Sequence, residues 1–248
     1  MSEPPETAGK VSFVCSPIGN LADITLRALD ALRAADIIAC EDTRHSRRLL
    51  DRQQISSARL VSYHEHNEAA RSAQLADDVR AGLHVAVLTD AGAPTVSDPG
   101  LRLVDTCIRQ HLPYEILPGA SALTTGLAGS GLATGAFYFA GFLPNKSGGR
   151  ERDLRLALER DVPTVFFESP HRIVRTLTCL ATLAPDRLVC VARELTKLHE
   201  EFRRSTAADL LAHYTARHPK GEITLVVSGT KLPRWLGETL PSPAVPPA

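Results

Sequence analysis

Apolar residues in the first half of the chain come in short runs separated by amphipathic stretches. Runs at 11–15, 37–40, 60–63, 85–88 and 114–117 have the length and composition of buried strands. A helix is expected from Asp23, with Asp23 as its cap and Leu26, Leu29 and Leu32 on one face. Further helices are expected at 44–53, 68–81, 101–110 and 120–127, the 68–81 stretch stopped by Gly82. Strand and helix thus alternate, which predicts a mostly parallel sheet covered on both faces. In the second half, strands are expected at 137–142, 164–167, 188–192 and 222–227. Helices are expected near 151–160, 173–183 and 207–217, with a polar stretch after 192 running to 205. Segment 144–150, with Lys146, Ser147, Gly148 and Gly149, reads as a linker. The expected organisation is an α/β domain at 10–143, a second at 144–232, and a disordered proline-rich tail at 233–248.

Composition narrows the class. Apolar residues make up 44% of the 248, ordinary for a globular chain, and no apolar run reaches the roughly 18 residues of a membrane span. Residues 1–9 lack the basic start and apolar core of a secretory signal. The five cysteines are widely spaced, odd in number and without a CxxC, so neither a disulfide framework nor a zinc site is expected. A reducing, cytoplasmic location follows as an expectation. Net charge is zero, but residues 1–144 carry 12 Lys and Arg against 16 Asp and Glu, and residues 145–235 carry 16 against 11. A basic second half suits phosphate partners; ordinary scatter of surface charge fits equally well.

Several motifs are absent. No P-loop pattern and no G-x-S-x-G elbow occurs. The string GSGLATG at 129–135 has one residue too many for a dinucleotide loop and follows a small-residue helix, so helix termination explains it better. His64 and His66 flank a glutamate but lack HExxH spacing and a third ligand, so no metal is expected. The strongest local signal is DAGAPTVSDPG at 90–100, directly after a buried strand. Ligands of open α/β sheets bind at such strand ends. Small residues there let a flat ligand approach the backbone, prolines set the loop shape, and Asp90 and Asp98 offer acceptors. Eleven residues is also long for a plain connection. A second small-residue turn, LPGASA at 117–122, follows the next strand and should open on the same edge.

With these features the chain resembles a known family. The string SPIGNLADITLRAL at 16–29 is similar to the opening signature of the bacterial small-subunit ribosomal RNA ribose methyltransferases, within the tetrapyrrole (corrin/porphyrin) methylase superfamily. Matching blocks follow in order: CEDTR at 40–44, SYHEHNE at 62–68, the 90–100 loop, LPGASA, and GFLP at 141–144. They continue with ESPHR at 168–172, ARELTK at 192–197, HEE at 199–201 and KGE at 220–222. The resemblance covers about residues 10–230. It departs from the pattern at Ala93, where the family has Thr, and in the proline-rich end, where members carry a further small helical segment.

The resemblance implies a two-domain α/β fold, with a mostly parallel N-terminal sheet, a mixed C-terminal sheet and S-adenosylmethionine in the cleft between domains. It implies methylation of a cytidine 2′-oxygen in the 16S rRNA decoding region of the small ribosomal subunit, and a homodimer. Cofactor contacts are expected from Pro17, Gly19, Asp90, Ala91, Gly92, Ala93, Val96, Ser97, Ser121 and Ala122, with Glu168 and Glu194 nearest from the second domain. A ribose hydroxyl needs its proton removed or polarised. Glu168 leads the candidates, followed by Asp98, Glu194, Lys197 and Asp23; capping a helix or pairing Arg172 is the alternative role for Glu168. Arg44, Arg47, Arg48, Lys146, Arg150, Arg152 and Arg172 are the candidate RNA contacts. Methylation of a small tetrapyrrole, or non-catalytic RNA binding in ribosome assembly, remain open alternatives.

Overall fold

The computed structural model describes residues 9–56 and 58–233; the proline-rich tail expected at 233–248 lies, from 234 on, outside the described residues. The chain forms two compact units, one up to Ser121 and one from Ala122. The break expected near 144 therefore falls earlier in the chain. Among the described residues no helix is long and apolar enough to cross a membrane.

The first unit is a five-stranded parallel sheet. Its strands are β1 (Val11–Val14), β2 (Ile37–Cys40), β3 (Arg59–Ser62), β4 (Val85–Leu88) and β5 (Tyr114–Leu117), in the order β3-β2-β4-β1-β5. All residues of β1, β2 and β4 are buried. Helices cover both faces, so these strands have no polar side to show. Helices α1 (Leu26–Ala34) and α2 (Thr43–Arg52) pack on one face with Val14, Ile38, Cys40, Ala86 and Leu88. Helices α3 (Glu68–Arg80) and α4 (Leu101–Gln110) pack on the other with Val11, Phe13, Ile37, Ala39 and Val87.

Helix α1 starts later than expected. Asp23 ends a short 3-10 turn, Leu21–Asp23, and Thr25 is the cap, its Oγ1 accepting from the Ala28 amide at 3.1 Å. Leu26, now the first helical residue, is 79% exposed, while the expected Leu29 and Leu32 are buried together with Ala28 and Ala31.

The second unit holds a mixed sheet of β6 (Tyr138–Phe142), β7 (Thr164–Glu168), β8 (Leu188–Arg193), β9 (Glu201–Thr206) and β10 (Ile223–Val227), in the order β6-β7-β10-β8-β9. Strands β6 and β7 are parallel; the other pairings are antiparallel. Helices α6 (Ser147–Glu159), α7 (Ile173–Leu183) and α8 (Ala207–Ala216) build the larger core on one face. Helix α5 (Ala122–Ser130) covers the other, where Leu127 and Leu132 meet Val165, Cys190 and Val226. Two sequence expectations change here. The polar stretch before 205 contains β9, an edge strand whose charges pair along the sheet, as Arg193 and Arg203 do with Glu201. The expected linker at 144–150 carries the first turn of α6, which begins at Ser147 despite two glycines.

Small residues let α5 lie close to the sheet. A Cβ at Gly126 would stand 2.6 Å from Thr224 Cγ2, and one at Gly129 would overlap the Phe202 ring. Arg204 closes the helix end, its Nε donating to the Ser130 carbonyl at 2.6 Å and its Nη2 to Gly129 O. These are the carbonyls a helix C-terminus leaves without internal partners. The Gly126→Ala variant is expected to lose about 1–3 kcal/mol through overpacking, read as a lower midpoint with unchanged slope in urea unfolding.

Candidate functional site at the carboxyl edge of the parallel sheet

Neighbouring strands β1 and β4 send their chains to opposite faces of the first sheet, β1 into α1 and β4 into α4. Their loops are drawn apart, which opens a crevice at the strand ends, the usual ligand position in open α/β sheets. Two backbone hydrogen bonds set the floor of that crevice: Ser16 N to Gly92 O at 2.8 Å and Gly92 N to Ser16 O at 3.1 Å. Thr89 Oγ1 adds a bond to Gly92 O at 3.0 Å, and Ser16 Oγ donates to Thr89 O. The turn after β5 presses onto the end of β1, where a Cβ at Gly119 would lie 2.6 Å from Cys15 Cβ. Above Gly92 there is room: a Cβ there would find its nearest neighbour, Ile18 Cγ2, at 3.6 Å.

The 90–100 loop is strained and held. Thr95 (φ +73°) and Ser97 (φ +65°) are non-glycine residues in left-handed backbone, each costing about 1–2 kcal/mol. Thr95 N donates to Pro99 O at 3.2 Å and Val96 N to Ala93 O at 3.3 Å. The far end is fixed by Glu68, at the start of α3. Its Oε1 accepts from Gly100 N at 2.9 Å, Arg102 N at 3.1 Å and the buried Tyr63 hydroxyl at 3.1 Å. A carboxylate at the amino end of α4 also meets the helix dipole favourably. Glu68 and Tyr63 were absent from the sequence-based site, although both lie in the SYHEHNE block.

Acidic groups converge on the same edge. Asp98 is raised to about 7, first by burial and then by the neighbouring carboxylates of Glu41 and Asp90. Glu41 is also raised, by burial and then by Asp90. Asp90 Oδ1 accepts the Asp42 amide at 3.2 Å, tying the loops after β2 and β4 together. Sequence reasoning found Asp90 and Asp98 but missed Glu41, which sits one residue past a buried strand in the CEDTR block. Pro17 and Gly19, Ala91 to Ser97, and Ser121 lie in the three loops at this edge. Asp23, exposed in its 3-10 turn, is held through its backbone to Asn20 O at 3.0 Å. The His64 amide bonds Asn67 Oδ1 at 2.9 Å, and among the described residues no group of three or more His, Cys, Asp or Glu is placed to hold a metal ion.

In the second unit the candidate residues are bound into local structure. Glu168 is enclosed: its Oε1 accepts from Ser169 N at 2.8 Å and lies 3.0 Å from Arg172 Nε, off the hydrogen-bond axis, while Oε2 accepts from Thr176 Oγ1 at 2.5 Å. Arg172 turns inward as well, donating to Asn145 Oδ1 at 2.5 Å and to Leu143 O. The geometry is that of a helix-start anchor. Glu194 Oε1 accepts from Lys197 Nζ at 2.8 Å and from Glu222 N at 3.0 Å, and Lys197 Nζ reaches Glu222 Oε2 at 2.7 Å. Burial works against both charges, but the pairing outweighs it, so Glu194 is lowered and Lys197 raised. Ala122 opens α5, its carbonyl accepting from Thr224 Oγ1 at 3.4 Å.

Among the candidate RNA contacts, Arg44, Arg47 and Arg48 stand on the exposed side of α2, opposite buried Ser46, Leu49 and Leu50. Lys146 is exposed at the start of α6. Arg150 Nη1 bonds Asn145 O at 3.4 Å and Arg152 pairs with Asp153 at 2.8 Å.

The family model for tetrapyrrole (corrin/porphyrin) methylases matches residues 10–211. A protein of Mesorhizobium japonicum named ribosomal RNA small subunit methyltransferase I is 49% identical over 87% of this chain and 74% of its own length. A protein of the same name from Thermotoga maritima is 43% identical over 89% of this chain and 99% of its own. Among solved structures, uroporphyrin-III C-methyltransferase from Thermus thermophilus, complexed with S-adenyl homocysteine, has the same fold with a TM-score of 0.61. It is 21% identical and covers 88% of this chain and 97% of its own.

The acidic edge has a measurable consequence for stability. An aspartate raised from 3.8 to about 7 keeps, between those values, a proton that the unfolded chain has released. Charging Asp98 therefore costs stability as pH rises through that window. The Asp98→Asn variant should match the wild type near pH 4 and exceed it at pH 8, measured by urea unfolding at both.

Proposed function

The chain belongs to the tetrapyrrole (corrin/porphyrin) methylase family, and on that premise we propose that it methylates small-subunit ribosomal RNA, at the 2′-oxygen of a cytidine in the 16S decoding region, with S-adenosylmethionine as donor. The nearest support for the RNA substrate is the shared name of relatives 38–49% identical over about nine-tenths of the chain. When bound, the donor supplies a methyl group on a positively charged sulfur.

The carboxyl edge of the first unit fits such a ligand. Gly92 leaves its backbone uncrowded, Ala91, Ala93 and Val96 are small or slim, and the carboxylates of Asp90, Asp98 and Glu41 favour a cation. Pro17, Gly19, Ser97, Ser121 and Ala122 complete the proposed contacts. Much of the rate gain in a displacement of this kind comes from orientation, and the cross-bonded Ser16 and Gly92 give the loops a fixed geometry.

The observation that carries the mechanism is the raised carboxyl of Asp98. A group near 7 is matched to accept a hydroxyl proton at neutral pH. Asp98 is therefore our proposed base. Glu168, with both oxygens engaged, suits positioning, and Glu194 holds Lys197 protonated, where it suits attraction to phosphate or polarisation of the ribose oxygen. The exposed cations of α2, Arg47 and Arg48 with Arg44 beside Asp42, suit the RNA backbone.

The test is transfer of label from S-adenosylmethionine to small ribosomal subunits that lack this methyl group. Label in one rRNA ribose supports the proposal; label only in a porphyrinoid, or none, rejects it. The wild-type rate should climb with pH and level off above about 7. The Asp98→Asn variant should lose about 100-fold or more in kcat and that pH limb, with binding of S-adenosylhomocysteine kept. Reversing charge at Arg44, Arg47 and Arg48 together should lower the salt slope of RNA binding by about 0.7–0.9 per lost phosphate contact, seen in titrations from low to moderate salt.

A further inference from the structure

The connection between β8 and β9, residues 194–200, holds an apolar side chain out into solvent. Leu198 is 93% exposed, the most exposed of the large apolar residues described, while Leu195 three residues earlier is buried. A slack loop would let Leu198 fold back onto the unit. This one is not slack: Glu194 (φ +51°) and Thr196 (φ +65°) both adopt left-handed backbone without being glycine. Strain of that kind persists only where the surroundings over-determine it.

The bonds that impose it are all present. Glu194 N donates to Glu222 O at 3.0 Å, and Glu222 N returns a bond to Glu194 Oε1 at 3.0 Å. Lys197 N donates to Glu194 O at 3.0 Å, Glu200 N to Lys197 O at 3.1 Å, and Thr196 N to Glu200 Oε2 at 2.6 Å. Lys197 Nζ clamps Glu194 and Glu222 from one side. On the other, Gly221 (φ +88°) leaves space for the Glu194 side chain that a Cβ would occupy.

Charges of both signs surround the tip, and the acidic ones are all engaged. The carboxylates of Glu194, Glu222 and Glu200 are each engaged within the turn, and Glu201 is held by Arg193 and Arg203. Lys220 and Arg217 are exposed and form no ion pair among the described residues, and Arg193 Nη1 ties the Lys220 carbonyl to the turn at 3.1 Å. A rigid apolar point, with unpaired cations on the 217–222 connection bonded to the base of its turn, fits a nucleic-acid strand, with the cations on phosphates and the apolar group against bases. A 2′-hydroxyl is displayed in the shallow groove of paired RNA, but an in-line displacement needs that ribose held in one orientation, and parting the target base from its neighbour frees the sugar to take it. Apolar side chains such as leucine are used to part neighbouring bases.

Resting on the RNA substrate proposed above, we propose that the 194–200 turn is an RNA wedge, with Leu198 inserted beside the base of the target nucleotide and Lys220 and Arg217 on the flanking phosphates. The probe is an RNA hairpin of the target sequence with 2-aminopurine next to the methylated position. Wild-type protein should raise its fluorescence on binding. The Leu198→Ala variant should bind within about threefold yet give no rise, and its kcat on small subunits should fall at least tenfold. Leu198→Met should restore both. Lys220→Ala should weaken binding and leave the rise at saturation intact. Leu198 packs on little, so the variant should keep the wild-type thermal midpoint, which is measured alongside. A Leu198→Ala protein with wild-type rate and fluorescence rise overturns the wedge. So does one whose rate falls only because its sedimentation reveals a lost protein–protein contact. If the wild type neither labels rRNA nor raises the fluorescence, the RNA reading itself fails, which separates the two.

Discussion

Two backbone hydrogen bonds between Ser16 and Gly92 govern the first unit's functional edge. They exist because β1 and β4 are neighbours in register, Val14 opposite Leu88, while their following helices lie on opposite faces. Chain direction pulls the loops apart; the paired amides keep their bases together. The result is a shallow opening with a firm floor, and everything else at the edge is referred to it. Gly119 packs on the residue preceding Ser16, and Asp90 links the floor to the loop after β2.

The edge is built against its own stability. Two left-handed non-glycine residues and three mutually repelling carboxyl groups share one loop region. Their cost is offset by the two buried cores on the sheet faces and by Glu68, one oxygen of which gathers three donors. Such a division, with strain on the loops and stability in the layers, is expected where a site must be rigid before its ligand arrives.

The alternating layers of the first unit were legible in the sequence because β1, β2 and β4 are buried on both faces and their runs contain almost nothing polar. Strand β9 was not, because an edge strand needs only one apolar neighbour and its charges are neutralised across the pair, information that no local window contains. The start of α1 was misplaced because two acceptors two positions apart, Asp23 and Thr25, both suit a cap, and only the packing of Ala28 and Leu32 chooses between them. At the site, the small-residue loop and its aspartates could be found from composition. Glu41 and Glu68 could not, since their roles arise from strands and helices that meet only after folding.

The enclosed Glu168 and Arg172 carry a consequence for how this chain can vary. Each is the other's counter-ion, with the glutamate side chain wholly buried. Removing Arg172 alone leaves the buried Glu168 charge without its counter-ion, at about 3–5 kcal/mol, and frees the Leu143 and Asn145 segment that Arg172 holds. Removing both together leaves no buried charge unpaired, though Ser169 N, the Thr176 hydroxyl and the Leu143 carbonyl still lose their partners. The two positions are therefore coupled through folding: a substitution at one changes the cost of a substitution at the other, whatever the chemistry at the strand ends.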